Sequence, residues 1–132
     1  MITKQQLCQQ ALTARELAYT PYSNFRVGAA LLAKNGQVYT GCNIENAAYT
    51  PSNCAERTAV FKAVSEGVTQ FSMIAVAGGK AGGPPSTIAA PCGVCRQVLN
   101  EFCEPDMPVL LIKNETEYIE TTLGQLLPMG FG

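Results

Sequence analysis

The dipeptide Asn35-Gly36 stands between two runs with strand character, Val27–Ala33 and Gln37–Asn43. It is the strongest short-range hairpin signal a sequence carries, and it commits this part of the chain to an antiparallel pair. A second link is equally restrictive. Val109–Ile112 and Tyr118–Thr121 also read as strands, and the five residues between them are too few for a crossover, so they pair antiparallel. Ser72–Ala77 is nearly all apolar, as in a strand buried on both faces. Thr3 with Gln6 three residues on reads as a helix start, and Leu7, Ala11, Ala14 and Ala18 mark one face of that helix, which ends before Pro21. Further helices are predicted from about Cys54 to Glu66 with Gly67 as the stop, from Pro91-Cys92 to about Phe102, and for one turn at Leu123–Leu127 before Pro128. Gly78–Ala90 is rich in Gly and Pro and reads as a loop. The order α-β-β-α-β-α-β-β-α implies one mixed sheet with helices on its faces.

At 132 residues the chain is expected to form one domain, 1–132, with a single core. Charged residues make up only 14%, against a typical quarter, which excludes disorder and suggests an oligomer that buries further surface. The net charge is −1, and no basic patch suggests a nucleic-acid groove. No apolar run approaches the ~20 residues of a membrane span, so a cytoplasmic location is expected.

Six cysteines accompany no histidine at all. Acid–base work near neutral pH then falls to a carboxylate, a tyrosine or a perturbed lysine or cysteine. Any zinc site must be built from thiolate and carboxylate. In a cytosolic chain, cysteines serve metals or catalysis more often than disulfides. Pro91-Cys92-Gly93-Val94-Cys95 puts two thiols at a helix start, where the helix dipole favours thiolate. Taken alone, C-x-x-C fits either a redox dithiol or zinc. Asn53-Cys54-Ala55-Glu56-Arg57 is a second helix start. Glu56 there could be the third residue of a capping box begun by Asn53, and Cys54 a small buried hydrophobe. Against those readings, Glu56, Ala59, Val60 and Ala63 share one helical face, which turns the carboxylate toward the core. Burying it is costly unless a metal, a proton or a partner compensates. Cys103 lies about 12 Å beyond Cys95 along the same helix and cannot join it. Cys8 reads as core, and Cys42, at a strand end, remains a rival ligand. Three ligands with an open fourth position is the catalytic arrangement of zinc.

C-x-E followed by P-C-x-x-C resembles the zinc deaminase signature in its three-cysteine form. Gly41-Cys42-Asn43-Ile44-Glu45-Asn46-Ala47-Ala48-Tyr49, Cys54 to Ala59, Pro91 to Gln97, and Leu126-Leu127-Pro128 with Phe131 are similar to the small homotetrameric cytidine deaminases, over nearly the whole chain. The resemblance implies a three-layer α/β/α sandwich with a five-stranded mixed sheet. It implies Zn2+ on Cys54, Cys92 and Cys95, with Glu56 as the proton shuttle. Asn43 and Glu45 would grip the sugar, Phe25 would contact the base, and Ala55 would contribute to substrate binding. Ala47, Tyr49 and Phe131 would enter the sites of neighbouring subunits. The implied reaction is hydrolysis of cytidine and 2'-deoxycytidine to uridine and 2'-deoxyuridine with loss of ammonia, in pyrimidine salvage. Ala90 departs from the serine common before Pro-Cys, where the family uses a backbone carbonyl. A deaminase of a nucleoside antibiotic would share both cysteine motifs, but Asn43-Ile44-Glu45-Asn46 argues for the ribose. A redox or structural zinc module would need only Cys92 and Cys95. Three thiolates leave zinc at net −1, and Arg57, next to Glu56, is expected to offset that charge by bonding a ligand sulfur.

Overall fold

A computed structural model describes residues 2–85 and 88–131. Among these residues nine elements follow one another: α1 (Lys4–Arg15), β1 (Phe25–Ala33), β2 (Val38–Cys42), α2 (Ala55–Ser65), β3 (Phe71–Lys80), α3 (Gly93–Phe102), β4 (Pro108–Ile112), β5 (Tyr118–Thr122) and α4 (Leu123–Leu126). The strands form one sheet in the order β2-β1-β3-β4-β5. Only β3 and β4 run parallel; the other neighbours, β4 and β5 included, are antiparallel.

Alternation along β1 divides the core in two. Ala30 and Leu32, with Ala75, Ala77, Leu110 and Ile112, pack under Leu7, Cys8 and Ala11 of α1. Ala29, Leu31 and Ala33 face the other way, with Ile74, Val76, Val109 and Leu111, onto Ala59, Val60 and Ala63 of α2, Leu99 of α3 and Leu123 beside β5. The architecture is therefore the α/β/α sandwich, with α1 the one helix on its face among the described residues. Both helix layers approach the sheet closely. A Cβ on Gly28 would stand 2.2 Å from the Ala11 carbonyl oxygen, and one on Gly41 would stand 2.4 Å from that of Ala55 and 2.6 Å from the Ala59 nitrogen.

Thr3 caps α1 with the full capping box, Gln6 returning the bond. The helix ends at Arg15, earlier than the approach to Pro21 suggests, because Tyr19 leaves it to bridge Ile44. Gly36 takes φ +92° in the β1–β2 turn, the backbone its sequence position predicted. β3 continues to Lys80 through the predicted loop, since Gly78 and Gly79 pair with Val27 and Arg26 of β1. Ser86 and Thr87 of that loop lie outside the described residues. Among the described residues no helix is long and apolar enough to cross a membrane.

Topology assembles the site. β2 and β3 flank β1 and both run antiparallel to it, so their C-terminal ends lie together beside the start of β1. The chain enters α2 after β2 and α3 after β3. Both helices therefore begin at that edge, on the face toward which Phe25 and Val27 alternate. Gly41→Ala should lower stability by about 1–3 kcal/mol through overpacking against backbone. Chemical denaturation should show an earlier midpoint at unchanged slope, and an unshifted midpoint would mean that α2 can move away freely.

Candidate metal centre

Cys54 is the N-cap of α2 and Cys92 the N-cap of α3. Asn53 is therefore outside the capping position, and no side chain caps α2. Its amide donates instead to the Thr58 hydroxyl, at 3.2 Å. Cys92 does cap: its sulfur accepts the Cys95 backbone N–H at 3.5 Å. The sulfurs of Cys54, Cys92 and Cys95 all lie within 4.8 Å of one another, and Cys54 and Cys92 are 3.6 Å apart. Tetrahedral zinc with Zn–S bonds near 2.3 Å holds its sulfurs about 3.8 Å apart. The donor set fits zinc in softness and spacing. Cys42, Cys8 and Cys103 stand outside this cluster; burial pushes the Cys8 thiol up to about 11 and Cys103 to about 12.

The cluster is electrostatically prepared. The Cys54 thiol is drawn down to about 5, first by the hydrogen bond shared with Cys95, then by Arg57 and Cys92, against the effect of burial. Cys95 is raised by the same bond and by its own burial. Arg57 donates through Nη2 to the Cys54 sulfur at 3.3 Å, and that bond, more than any other influence, strengthens its hold on its proton. Its Nε is buried with no partner among the described residues. Arg57 is thus directed at the cluster rather than solvated.

Beside the sulfurs opens a cavity of about 340 Å³ lined by Phe25, Val27, Asn43, Cys54, Ala55, Glu56, Ile88, Ala89, Ala90 and Cys92. Glu56 is 4% exposed, at the second position of α2. Burial pushes its carboxyl up to about 7, with the Cys54 charge adding and Arg57 opposing. A carboxyl so placed can carry a proton between groups held in the cavity.

Asn43 is fastened while it lines the cavity. Its Oδ1 accepts from the Val27 N–H at 2.8 Å, and its Nδ2 donates to the Phe25 carbonyl at 2.9 Å. Glu45 and Tyr49 line an adjoining hollow with Tyr22, Ser23 and Ser52. The Glu45 carboxylate accepts the N–H groups of Tyr22 and Ser23 and the Ser23 hydroxyl, and the hydroxyl bond leads in holding its pKa below the usual value. Ala47 is exposed in the turn before Tyr49. Phe131 is 79% exposed and does not line the cavity; Gln97 and Asn100 donate to its carbonyl. Val27, Ile88 and Ala89 went unpredicted. Alternation from Phe25 could have supplied Val27, whereas nothing in the Gly- and Pro-rich stretch marks Ile88 or Ala89.

Residues 1–111 match the family described as the cytidine and deoxycytidylate deaminase zinc-binding region. A cytidine deaminase of Sporosarcina psychrophila is 54% identical over 127 residues, spanning 96% of this chain and 90% of the relative. One from Halalkalibacterium halodurans is 49% identical over 128 residues, 97% of this chain and 93% of the relative. The crystal structure of cytidine deaminase from Burkholderia pseudomallei matches with a TM-score of 0.87 at 47% identity, covering 98% of this chain and 100% of that one. That from Mycobacterium tuberculosis gives 0.84 at 35% identity, over 100% and 99%. With three thiols at zinc spacing, a buried glutamate beside them and relatives this similar over nine-tenths or more of their length, the chain belongs to the cytidine and deoxycytidylate deaminase family of zinc proteins.

Proposed function

We propose that this chain is a cytidine deaminase, converting cytidine or 2'-deoxycytidine and water to uridine or 2'-deoxyuridine and ammonia, in pyrimidine nucleoside salvage. The observation that carries the reading is Glu56, buried and lining the same cavity as Cys54 and Cys92 of the three-sulfur cluster. Cys54, Cys92 and Cys95 would hold the zinc, which supplies the Lewis acidity that lets a water surrender its proton near neutral pH. Glu56 takes that proton and passes it to N3 of the ring as the water oxygen adds to C4. Glu56 then takes the second proton, from the new C4 hydroxyl, and delivers it to the C4 amine, which leaves as ammonia as the C4 carbonyl forms. Phe25 lies against the base. Asn43 and Glu45 meet the sugar hydroxyls, and Ala55 backs the ring. Arg57 shares its positive charge with the Cys54 sulfur and offsets the excess negative charge of three thiolates, together with two helix N-termini of roughly +0.5 charge each.

Ala47, Tyr49 and Phe131 act in a neighbouring subunit's site within a homotetramer. Their exposure supports this, as does that of Leu17 at 78% and Met129 at 100%. One domain, 1–132, carries both cores on its single sheet. A cytoplasmic setting suits six free cysteines, since thiols persist where the medium is reducing.

The reading is tested by assaying purified protein for zinc and for the loss of cytidine and deoxycytidine absorbance. Stoichiometric zinc with no turnover of either nucleoside would remove it. Glu56→Gln should keep its zinc while turnover falls at least 10⁴-fold, the upper end of general acid–base effects, because one group makes several transfers. More than a tenth of wild-type kcat would displace Glu56 from that role. Arg57→Gln should lower kcat about ten- to a hundredfold at nearly unchanged zinc content, and adding Cys54→His should restore part of it by removing one negative charge. An unchanged kcat would leave the helix dipoles as the sufficient offset. Deleting residues 129–132 should raise KM sharply or abolish turnover while zinc stays bound, and full activity in a demonstrable monomer would exclude shared sites.

A further inference from the structure

A helix satisfies its own carbonyls only as far back as its N-cap. In α3 the Arg96 N–H donates to the Cys92 carbonyl at 2.9 Å, so the Pro91 carbonyl, one residue earlier, lies beyond reach of the helix's own donors. Pro91 is fully buried, and a buried carbonyl needs an internal partner. The Arg96 side chain turns back along its helix and supplies one: Nε donates to the Pro91 oxygen at 2.6 Å. Its Nη1 donates at the same time to the Leu126 carbonyl at 2.7 Å, the last carbonyl of α4 and also an orphan of a helix end. One rigid guanidinium thus joins the peptide that enters Cys92 to the far end of the fold.

We infer that Arg96 is a positioning residue for the metal centre: its bridge from Pro91 to Leu126 fixes the backbone from which the Cys92 sulfur turns toward Cys54 and Cys95. The inference rests on the reading of these three cysteines as zinc ligands. The geometry at Cys92 has little slack. The residue sits at φ −67° and ψ 167°, its sulfur accepts the Cys95 N–H at 3.5 Å, and it stands 3.6 Å from the Cys54 sulfur. Rotation of the Pro91–Cys92 peptide would swing that sulfur out of the set. Cys92 is also the exposed member of the three, the one least confined by surrounding side chains. Arg96 differs from Arg57 in kind. Arg57 touches a ligand sulfur and acts by charge, whereas Arg96 donates to backbone and to no sulfur among the described residues. Among the described residues the neighbouring Gln97 and Asn100 side chains donate only to the Phe131 carbonyl, at 3.1 and 3.0 Å, which gives an internal control on the same helix.

The test uses the full chain, loaded with zinc, in four forms: wild type, Arg96→Gln, Arg96→Lys, and Gln97→Ala with Asn100→Ala. Zinc affinity is measured by competition with a chromogenic chelator, and the geometry of the sulfur set by the visible spectrum of each protein after substitution with cobalt(II). Arg96→Gln should weaken zinc binding about 10- to 100-fold and displace the sulfur-to-cobalt bands. Arg96→Lys should fall between it and the wild type, since an ammonium keeps the charge but offers one donor atom for two carbonyls. The Gln97→Ala, Asn100→Ala form should match wild type in both measurements. Wild-type affinity and spectrum in Arg96→Gln would overturn the inference, and so would full restoration by lysine, which would assign the effect to charge. Equal losses in the Gln97→Ala, Asn100→Ala form would overturn it too, by tracing the effect to the tail. Should Arg96→Gln not fold, the lysine variant decides alone, an unchanged affinity and spectrum counting against the bridge. A wild-type protein that takes up no zinc would instead defeat the ligand assignment.

Discussion

Three sulfurs and a carboxylate are gathered in one place, and the rest of the structure answers to that concentration of negative charge. An uncompensated buried ion costs several kcal/mol, against a net stability of about 5–15 kcal/mol for a whole domain. The fold meets this with position before it meets it with metal. Two helix N-termini arrive at one edge of the sheet because β2 and β3 run in the same sense on either side of β1. Each brings unsatisfied N–H groups and a positive dipole end to the sulfurs. Arg57 adds a full positive charge at 3.3 Å from Cys54. A divalent ion is the remaining compensation, and the spacing of the sulfurs suits zinc.

The close approach of helices to sheet is the second condition. Gly28 and Gly41, one under each helix layer, let backbone meet backbone where a methyl group would collide. Gly41 lies directly beneath the first turn of α2, which carries Cys54 and Glu56. The depth at which Glu56 is buried is thus set partly by the absence of a side chain on β2. The shift of its carboxyl toward neutrality comes from that depth.

Most of this was legible in the sequence, because the decisive signals are local. Asn35-Gly36, the short link before Tyr118, the Thr3–Gln6 box and the apolar stripe of Glu56, Ala59, Val60 and Ala63 each concern residues close in the chain. What was not legible depends on distant partners. β3 extends through Gly78 and Gly79 because β1 offers matching backbone groups, although the residues themselves read as loop. α1 ends early because Tyr19 is claimed by Ile44. Asn53 loses the capping position that its residue type favours, its backbone pairing with Ile44 and its amide with Thr58. Arg15 closes α1, yet it is 3% exposed and donates to the carbonyls of Arg26, Lys80 and Gly83. No spacing rule announces an arginine that ends up holding three loop and strand carbonyls.

The residues proposed to meet the sugar show how rigidity is obtained without extra structure. A primary amide has two donors and two acceptor lone pairs. Asn43 commits one of each to the backbone of Phe25 and Val27, leaving one of each for a ligand. Phe25 and Val27 also line the cavity, so the side chain proposed to meet the sugar also fastens the wall proposed to lie beside the base. Aspartate at this position would keep the bond from Val27 and lose the one to Phe25, and alanine would release both. Glu45 follows the same plan on the adjoining hollow, its carboxylate fixed by Tyr22 and Ser23 before any substrate arrives. Groups held this way have little conformational entropy left to lose on binding. Loss of either side chain would therefore remove a proposed sugar contact and loosen the surface around it, and the two effects belong to one physical event.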